Sequence, residues 1–183
     1  MSESNLEKSG VKLNVEIKAR TSNHDGIRRV LTDRGARLVG DDHQIDTYFN
    51  VVAGRLKLRE GNIENSLIFY QRNNQSGPKQ SDVVFARIEP NPALKLVLEA
   101  SNGVMVVVDK QRQIWFDANV KVHLDVVQGL GTFVEIEAID ADGSLDSSKL
   151  EAQCRLFMDL FGIQDDSLVD RSYSDLLMES QEN

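Results

Sequence analysis

A two-residue alternation of apolar and ionic side chains recurs along this chain, and it restricts the fold more than any other feature. It is plainest near the N-terminus, in Lys12 to Arg20 (KLNVEIKAR). Successive side chains of a strand point to opposite faces. Asn14, Glu16, Lys18 and Arg20 therefore share one face, and Leu13, Val15, Ile17 and Ala19 share the other. The polar face holds an acid beside two bases. The question it raises is whether later strands repeat the pattern and face it.

They do repeat it. Arg55 to Glu60 (RLKLRE) sets Arg55, Lys57 and Arg59 against Leu56 and Leu58. Gln44 to Asn50 (QIDTYFN) pairs Asp46 in phase with Tyr48, and Leu67 to Arg72 (LIFYQR) pairs Tyr70 with Arg72. Asp82 to Glu89 places Arg87 and Glu89 together, and the long run Val104 to Asp117 carries Lys110 and Arg112. Lys121, His123 and Asp125 alternate with Val120, Val122, Leu124 and Val126; after the hairpin signal Gln128 to Gly131, Thr132 to Ile139 puts Phe133, Glu135 and Glu137 on one face. Three helices fall between and after the strands. They run from about Asn23 to Arg34, from Pro92 to about Ser101, and from about Ser148 to Phe161, with Ser148 and Glu151 as a capping box. A short final helix holds Tyr173, Leu176 and Leu177. The fold class is α+β: about eight mostly hairpin-connected strands in an antiparallel sheet, with helices packed outside.

The apolar strand faces match the apolar helix stripes, so these pack as the core. The opposite faces hold Glu16, Lys18, Arg20, Arg55, Lys57, Arg59, Arg72, Arg87, Lys110, Arg112, Lys121, Asp125, Glu135 and Glu137. A sheet of this size curls or closes into a barrel, which removes its edges. The charged faces then line a tunnel. Dry burial of so many charges is prohibitive, so the tunnel holds water, ions or a charged ligand. Bases outnumber acids there although the 183-residue chain has a net charge of −8, which favours a small polyanion. Carboxylates gathered among phosphate-binding bases suit Mg²⁺ or Mn²⁺. Taken singly, Glu135 and Glu137, or the Arg55/Lys57/Arg59 face, read as solvated charge, and Arg20, Lys121 and Asp46 as pairing residues.

The acidic balance argues against a broad nucleic-acid surface. No apolar run reaches the ~20 residues of a membrane span. The polar start has no secretory apolar segment, and the single cysteine, Cys154, is expected in the core; a cytoplasmic setting fits both. Residues 1–10 read as a tail, 11–178 as a single domain and 179–183 as a second tail.

Five motifs in order, VEIKA, RLKLRE, the KQR of the long strand, HLDVVQGLGTFVEIE and RSYSDLL, together resemble the CYTH family of class IV adenylyl cyclases, thiamine triphosphatases and inorganic triphosphatases, also called triphosphate tunnel metalloenzymes. The resemblance implies an eight-stranded antiparallel tunnel. It implies Glu16, Asp125, Glu135 and Glu137 as metal ligands for Mg²⁺ or Mn²⁺, and Lys18, Lys57, Arg59, Arg72, Arg87, Lys110 and Arg112 as residues that hold the triphosphate. Arg20 joins the substrate-binding group from its place on the same face, and Glu16, Lys18, Arg59 and Arg112 form the catalytic group. Asn14 stands where the family motif has its first glutamate, which lowers the negative charge at one metal position. The implied activity is a divalent-metal-dependent phosphohydrolase of triphosphate substrates. A cyclase making cyclic AMP and pyrophosphate, and a polyphosphate or nucleotide binder without turnover, are the alternatives. The expected partner is a small triphosphate-bearing substrate, with neither nucleic acid nor membrane, and a homodimer is compatible.

Overall fold

The computed structural model describes residues 14–71, 82–140 and 143–182. In chain order the elements are β1 (Asn14–Arg20), α1 (His24–Asp33), β2 (Arg37–Phe49), β3 (Arg55–Gly61), β4 (Ser66–Gln71), β5 (Asp82–Arg87), α2 (Pro92–Asn102), β6 (Val104–Asp117), β7 (Val120–Val127), β8 (Gly131–Ile139), α3 (Ser147–Phe161), a 3₁₀ turn at Asp165–Ser167, and α4 (Tyr173–Glu182). The strands form one eight-stranded sheet in the order β1-β8-β7-β6-β2-β3-β4-β5. Every adjacent pair is antiparallel. The sheet is curled into a half-barrel, with β1 and β5 at its two edges.

Side-chain contacts across the concave side accord with the curl. The carboxylate of Glu64 contacts Arg59 on β3 and Lys121 on β7, at 3.0 and 2.8 Å. Those strands are separated by β2 and β6. At ~4.8 Å per strand, three spacings of a flat sheet would hold the two bases ~14 Å apart at their Cα atoms. One carboxylate joins them across the concave side of the sheet.

The convex face is the apolar core. Val15, Ile17 and Ala19 of β1 and Val134 and Ile136 of β8 pack with Ile27 and Leu31 of α1 and with Leu150, Cys154 and Phe157 of α3. Each such aliphatic side chain contributes ~1.5–3 kcal/mol when fully buried. Cys154 lies at the centre, its thiol directed at the Val15 carbonyl, and burial raises its pKa to about 11. It is a packing residue.

Helix ends follow local chemistry. Asn23 caps α1 by accepting from the Gly26 amide, and Asn91 caps α2 ahead of Pro92. In α3 the cap is Asp146, whose Oδ1 accepts from the Lys149 amide, so the helix begins ahead of the Ser148 predicted as its cap. It stops at Gly162, which is left-handed at φ 68°. Strand β2 begins at Arg37, seven residues before the predicted Gln44. Its first half, from Arg37 to His43, mixes Leu38 and Val39 with polar residues in no sustained alternation and declares no face. Pairing with β6, past a bulge between Leu38 and Gly40, holds it extended.

Helix α4 runs through most of the segment expected as a C-terminal tail. Its first residue turns toward the charged side of the sheet. Tyr173 packs edge-on to Phe133, and with Tyr48, Tyr70, Val106 and Val108 it makes a second apolar cluster. Tyr48, Tyr70 and Trp115 are thus packing residues. Among the described residues no helix is long and apolar enough to cross a membrane.

Candidate functional site

The concave face gathers the ionic sides of β1, β2, β3, β6, β7 and β8. Register explains how. Antiparallel pairing sets Glu16 opposite Glu137, Lys18 opposite Glu135, His123 opposite Glu135 and Arg112 opposite Asp125. Further round, Asp46 lies opposite Arg59, and Lys110 opposite Gln44. The face divides into three parts of different charge.

The first part centres on Asp46, which is 2% exposed. Its carboxylate accepts from Lys57 Nζ at 2.9 Å, Lys110 Nζ at 2.8 Å, and Arg59 Nε and Nη2 at 2.8 and 2.9 Å. Burial alone would raise its pKa, yet Arg59, Lys110 and Lys57 hold it well below the usual carboxylate range. One acid serves three bases, so positive charge is in excess. Lys110 registers the excess: burial, with Arg59, Arg112 and Lys57 against Asp46, pushes its ammonium down to about 7. Tyr48 beside this cluster is pushed up to about 12 by burial and by Asp46.

The second part is neutral and centres on Arg112. Its guanidinium donates to both oxygens of Asp125, at 2.7 and 2.5 Å, and to Glu135 Oε2 at 2.5 Å. Burial opposes the charge of Arg112, but Asp125 and Glu135 more than offset it and hold its pKa well above the ordinary value. Lys18 meets the other oxygen of Glu135 at 3.0 Å and lies 4.1 Å from the Tyr173 ring centroid. The Tyr173 hydroxyl donates to Asp125 at 2.8 Å. His123 contacts Glu135 through Nδ1 at 3.2 Å, and burial, with Arg112 nearby, lowers it to about 4. It is a buried, neutral pairing residue, and its Nε2 has no partner among the described residues.

The third part is acidic. Glu16 and Glu137 occupy directly paired positions on β1 and β8. Asn14 Nδ2 donates to Glu137 at 2.7 Å. Burial raises the Glu137 pKa, and the charge of Glu16 raises it further.

The predicted residues therefore sort as follows. Lys57, Arg59 and Lys110 converge on Asp46, and Lys18, Arg112, Asp125 and Glu135 form one network. The four predicted metal ligands fall into two pairs, Glu16 with Glu137 and Asp125 with Glu135. Among the described residues no three acidic, histidine or cysteine side chains gather as a ready ligand set. Arg20 is exposed at the rim, donating to the Leu130 carbonyl at 2.9 Å, and Arg87 is exposed on edge strand β5. Neither joins the clusters. Arg72 lies outside the described residues. Arg55 turns to the C-terminal helix, pairing with Asp175 at 2.7 Å.

Three participants went unforeseen in these roles. Asp46 read as an ordinary pairing acid. Tyr173 read only as part of a helix stripe and a terminal motif. Glu64, in the β3–β4 turn, drew no notice, yet it bridges Arg59 and Lys121. The phase of Asp46 with Tyr48, facing the RLKLRE strand, is the one signal that pointed to its hub.

Solved structures of similar shape cover nearly the whole chain. A protein of Pyrococcus horikoshii OT3 is 22% identical with a TM-score of 0.75, over 89% of this chain and 98% of its own. A candidate adenylate cyclase of Vibrio parahaemolyticus is 18% identical with a TM-score of 0.74, over 91% of this chain and 98% of its own. A candidate adenylyl cyclase of Hippeastrum, reported to have a dominant triphosphatase activity, is 12% identical with a TM-score of 0.63, over 94% of this chain and 96% of its own. No curated protein matches. The CYTH domain model matches residues 12–173, the span that carries all eight strands and Tyr173. A curled antiparallel sheet with its ionic residues turned inward, together with that match, makes this chain a member of the CYTH domain family.

Proposed function

We propose that this protein is a divalent-metal-dependent phosphohydrolase acting on triphosphate substrates: inorganic triphosphate, thiamine triphosphate or a nucleoside triphosphate. The observation that carries the reading is the charge gradient across the concave face. Lys57, Arg59 and Lys110 stand against Asp46 and Glu64 at one end, leaving positive charge in excess, and Lys121, in register with Glu137, links the two ends through Glu64. Glu16 and Glu137 oppose each other at the other end. A metal–triphosphate complex has the complementary polarity.

The acidic end suits a hard cation in its donor chemistry. Glu16 and Glu137 supply carboxylate oxygens, and Asn14 supplies a neutral one, so Mg²⁺ or Mn²⁺ fits better than a soft metal. The repulsion that raises Glu137 is relieved by a cation. Asp125 and Glu135 would complete the set once their bonds to Arg112 and Lys18 loosen. A metal bound there offsets the charge of the phosphate chain. The chain's own residues do the rest. Arg59 presents a planar fork to phosphate oxygens and Lys57 and Lys110 act as point charges. Arg112 and Lys18 stabilise negative charge that develops between the two ends. Tyr173 fixes the orientation of Asp125.

Triphosphate hydrolysis needs no pocket for a nucleoside, and the dominant triphosphatase activity of the Hippeastrum neighbour is in keeping with it. The test is incubation with inorganic triphosphate, thiamine triphosphate and ATP, with Mg²⁺, Mn²⁺ or chelator. Metal-dependent orthophosphate release supports the proposal. Cyclic AMP with pyrophosphate would replace it with a cyclase, and tight binding without turnover would replace it with a binder, which Asn14 in place of a glutamate favours.

A further inference from the structure

The β3–β4 turn delivers an acid into the basic end of the concave face and holds it there. Asp42, fully buried at the start of this turn's brace, accepts from the Ile63 amide at 2.8 Å and the Glu64 amide at 3.1 Å. Asn65 closes the turn on Gly61 through two hydrogen bonds, at 3.1 and 2.9 Å. Gly61 is packed so closely that a Cβ there would lie 2.7 Å from both Asp42 Oδ1 and the Glu64 carbonyl. The backbone of Glu64 is therefore fixed, and the freedom that remains is side-chain rotation.

That side chain ends on two bases from opposite walls. Glu64 Oε2 accepts from Arg59 Nη1 at 3.0 Å and Oε1 from Lys121 Nζ at 2.8 Å. Gln44 Nε2 adds a contact of 3.2 Å. Burial would raise the Glu64 pKa, but Lys121 and Arg59 hold it far below the usual carboxylate range, so it is an anion at any working pH. Arg59 thus carries two carboxylates at once: Asp46 on Nε and Nη2, and Glu64 on Nη1. Two anions on adjoining edges of one guanidinium mark two neighbouring anion positions. They differ in permanence. Asp46 is tied to three bases and 2% exposed, whereas the Glu64 side chain is 28% exposed.

We infer that Arg59 and Lys121 form a phosphate subsite which the Glu64 carboxylate occupies in the free protein, as a built-in competitor that an incoming phosphate group displaces by side-chain rotation. This rests on the triphosphate reading above and deepens it: Lys121 becomes a substrate contact, and affinity is set by the exchange of one anion for another. The exchange costs the two ion pairs of Glu64 and regains them with phosphate. It limits occupancy to ligands whose phosphate carries more charge than a carboxylate.

The test is calorimetric titration of inorganic triphosphate into the full chain, with chelator present so that no turnover intervenes. Glu64→Gln keeps the size and the Gln44 contact but removes the competing charge, and it should bind triphosphate roughly tenfold more tightly. Lys121→Gln should bind it roughly tenfold more weakly. Wild-type affinity in a folded Glu64→Gln protein overturns the inference; if that variant does not fold, unchanged affinity in Lys121→Gln overturns it instead. Failure of wild type and both variants to bind triphosphate overturns the inference, and metal-dependent orthophosphate release by wild type tests the functional proposal separately. Binding by wild type with no gain in Glu64→Gln removes the inference alone.

Discussion

Replacing Asp46 by asparagine removes one negative charge and almost no volume, so its effect reads the charge balance of the basic end directly. In the folded protein Lys57, Arg59 and Lys110 all end on this carboxylate, at 2.8–2.9 Å, and its side chain is 2% exposed. Breaking a buried ionic cluster by deleting one partner costs about 3–5 kcal/mol, because the partners stay behind without a counter-charge. For a chain of this length that is a fall in Tm of ~10 °C. The loss should be recoverable by ligand. A polyanion supplies the missing charge, so triphosphate at a fixed concentration should raise the Tm of Asp46→Asn by more than it raises that of wild type. Stabilisation by a ligand at 100 times its Kd is about 2.7 kcal/mol, and a tighter Kd enlarges it. Differential scanning calorimetry with and without inorganic triphosphate measures both quantities. A loss below about 1 kcal/mol, or an equal ligand shift in the two proteins, would refute the picture of an unbalanced basic cluster.

Lys110 gives a pH prediction. Its pKa falls from 10.5 to about 7, so between those values the unfolded chain holds a proton that the folded protein lacks, and this group makes stability rise with pH across that window. Its charge in the folded protein is lost as pH rises through about 7, so triphosphate should bind more weakly at pH 8 than at pH 6 and should take up protons on binding near pH 7. Calorimetry in buffers of different ionisation enthalpy detects that uptake. Glu137→Ala should abolish metal-dependent turnover while circular dichroism shows the fold intact; full activity would remove the acidic end from the metal assignment. Tyr173→Phe should cost about 1–2 kcal/mol in urea unfolding, since it strips a buried hydrogen bond from Asp125 and leaves the ring packing in place.

The strands were legible because their signal is local. In RLKLRE, or in Lys121 to Asp125, two neighbouring residues already declare which face is which, and β6 spans Val104–Asp117 as the alternation predicts. Where the alternation is blurred, as in Arg37 to His43, the strand forms through its partner β6 and went unseen. The site was legible in its composition and less so in its groupings. The pattern indicates that Arg112 and Asp125 face inward, but not that one guanidinium would hold two acids. Asp46 serves bases 11 to 64 residues away, a convergence that only strand order creates. Glu64 sits in a turn, where no periodicity fixes a direction. Arg20 and Arg87 have the right phase but lie at the rim and the edge, where the curvature does not bring them to the others.

The order β1-β8-β7-β6-β2 makes the first strand neighbour to the last. Asn14 and Glu137, bonded in the acidic end, are 123 residues apart, and Tyr173 arrives later still. During synthesis the N-terminal strand must wait, unpaired, until most of the polypeptide has left the ribosome. The acidic end is thus the last part of the cleft to be assembled, and a truncated product ending before β8 would carry every base of the concave face and Asp46, Glu64 and Asp125, but neither Glu135 nor Glu137.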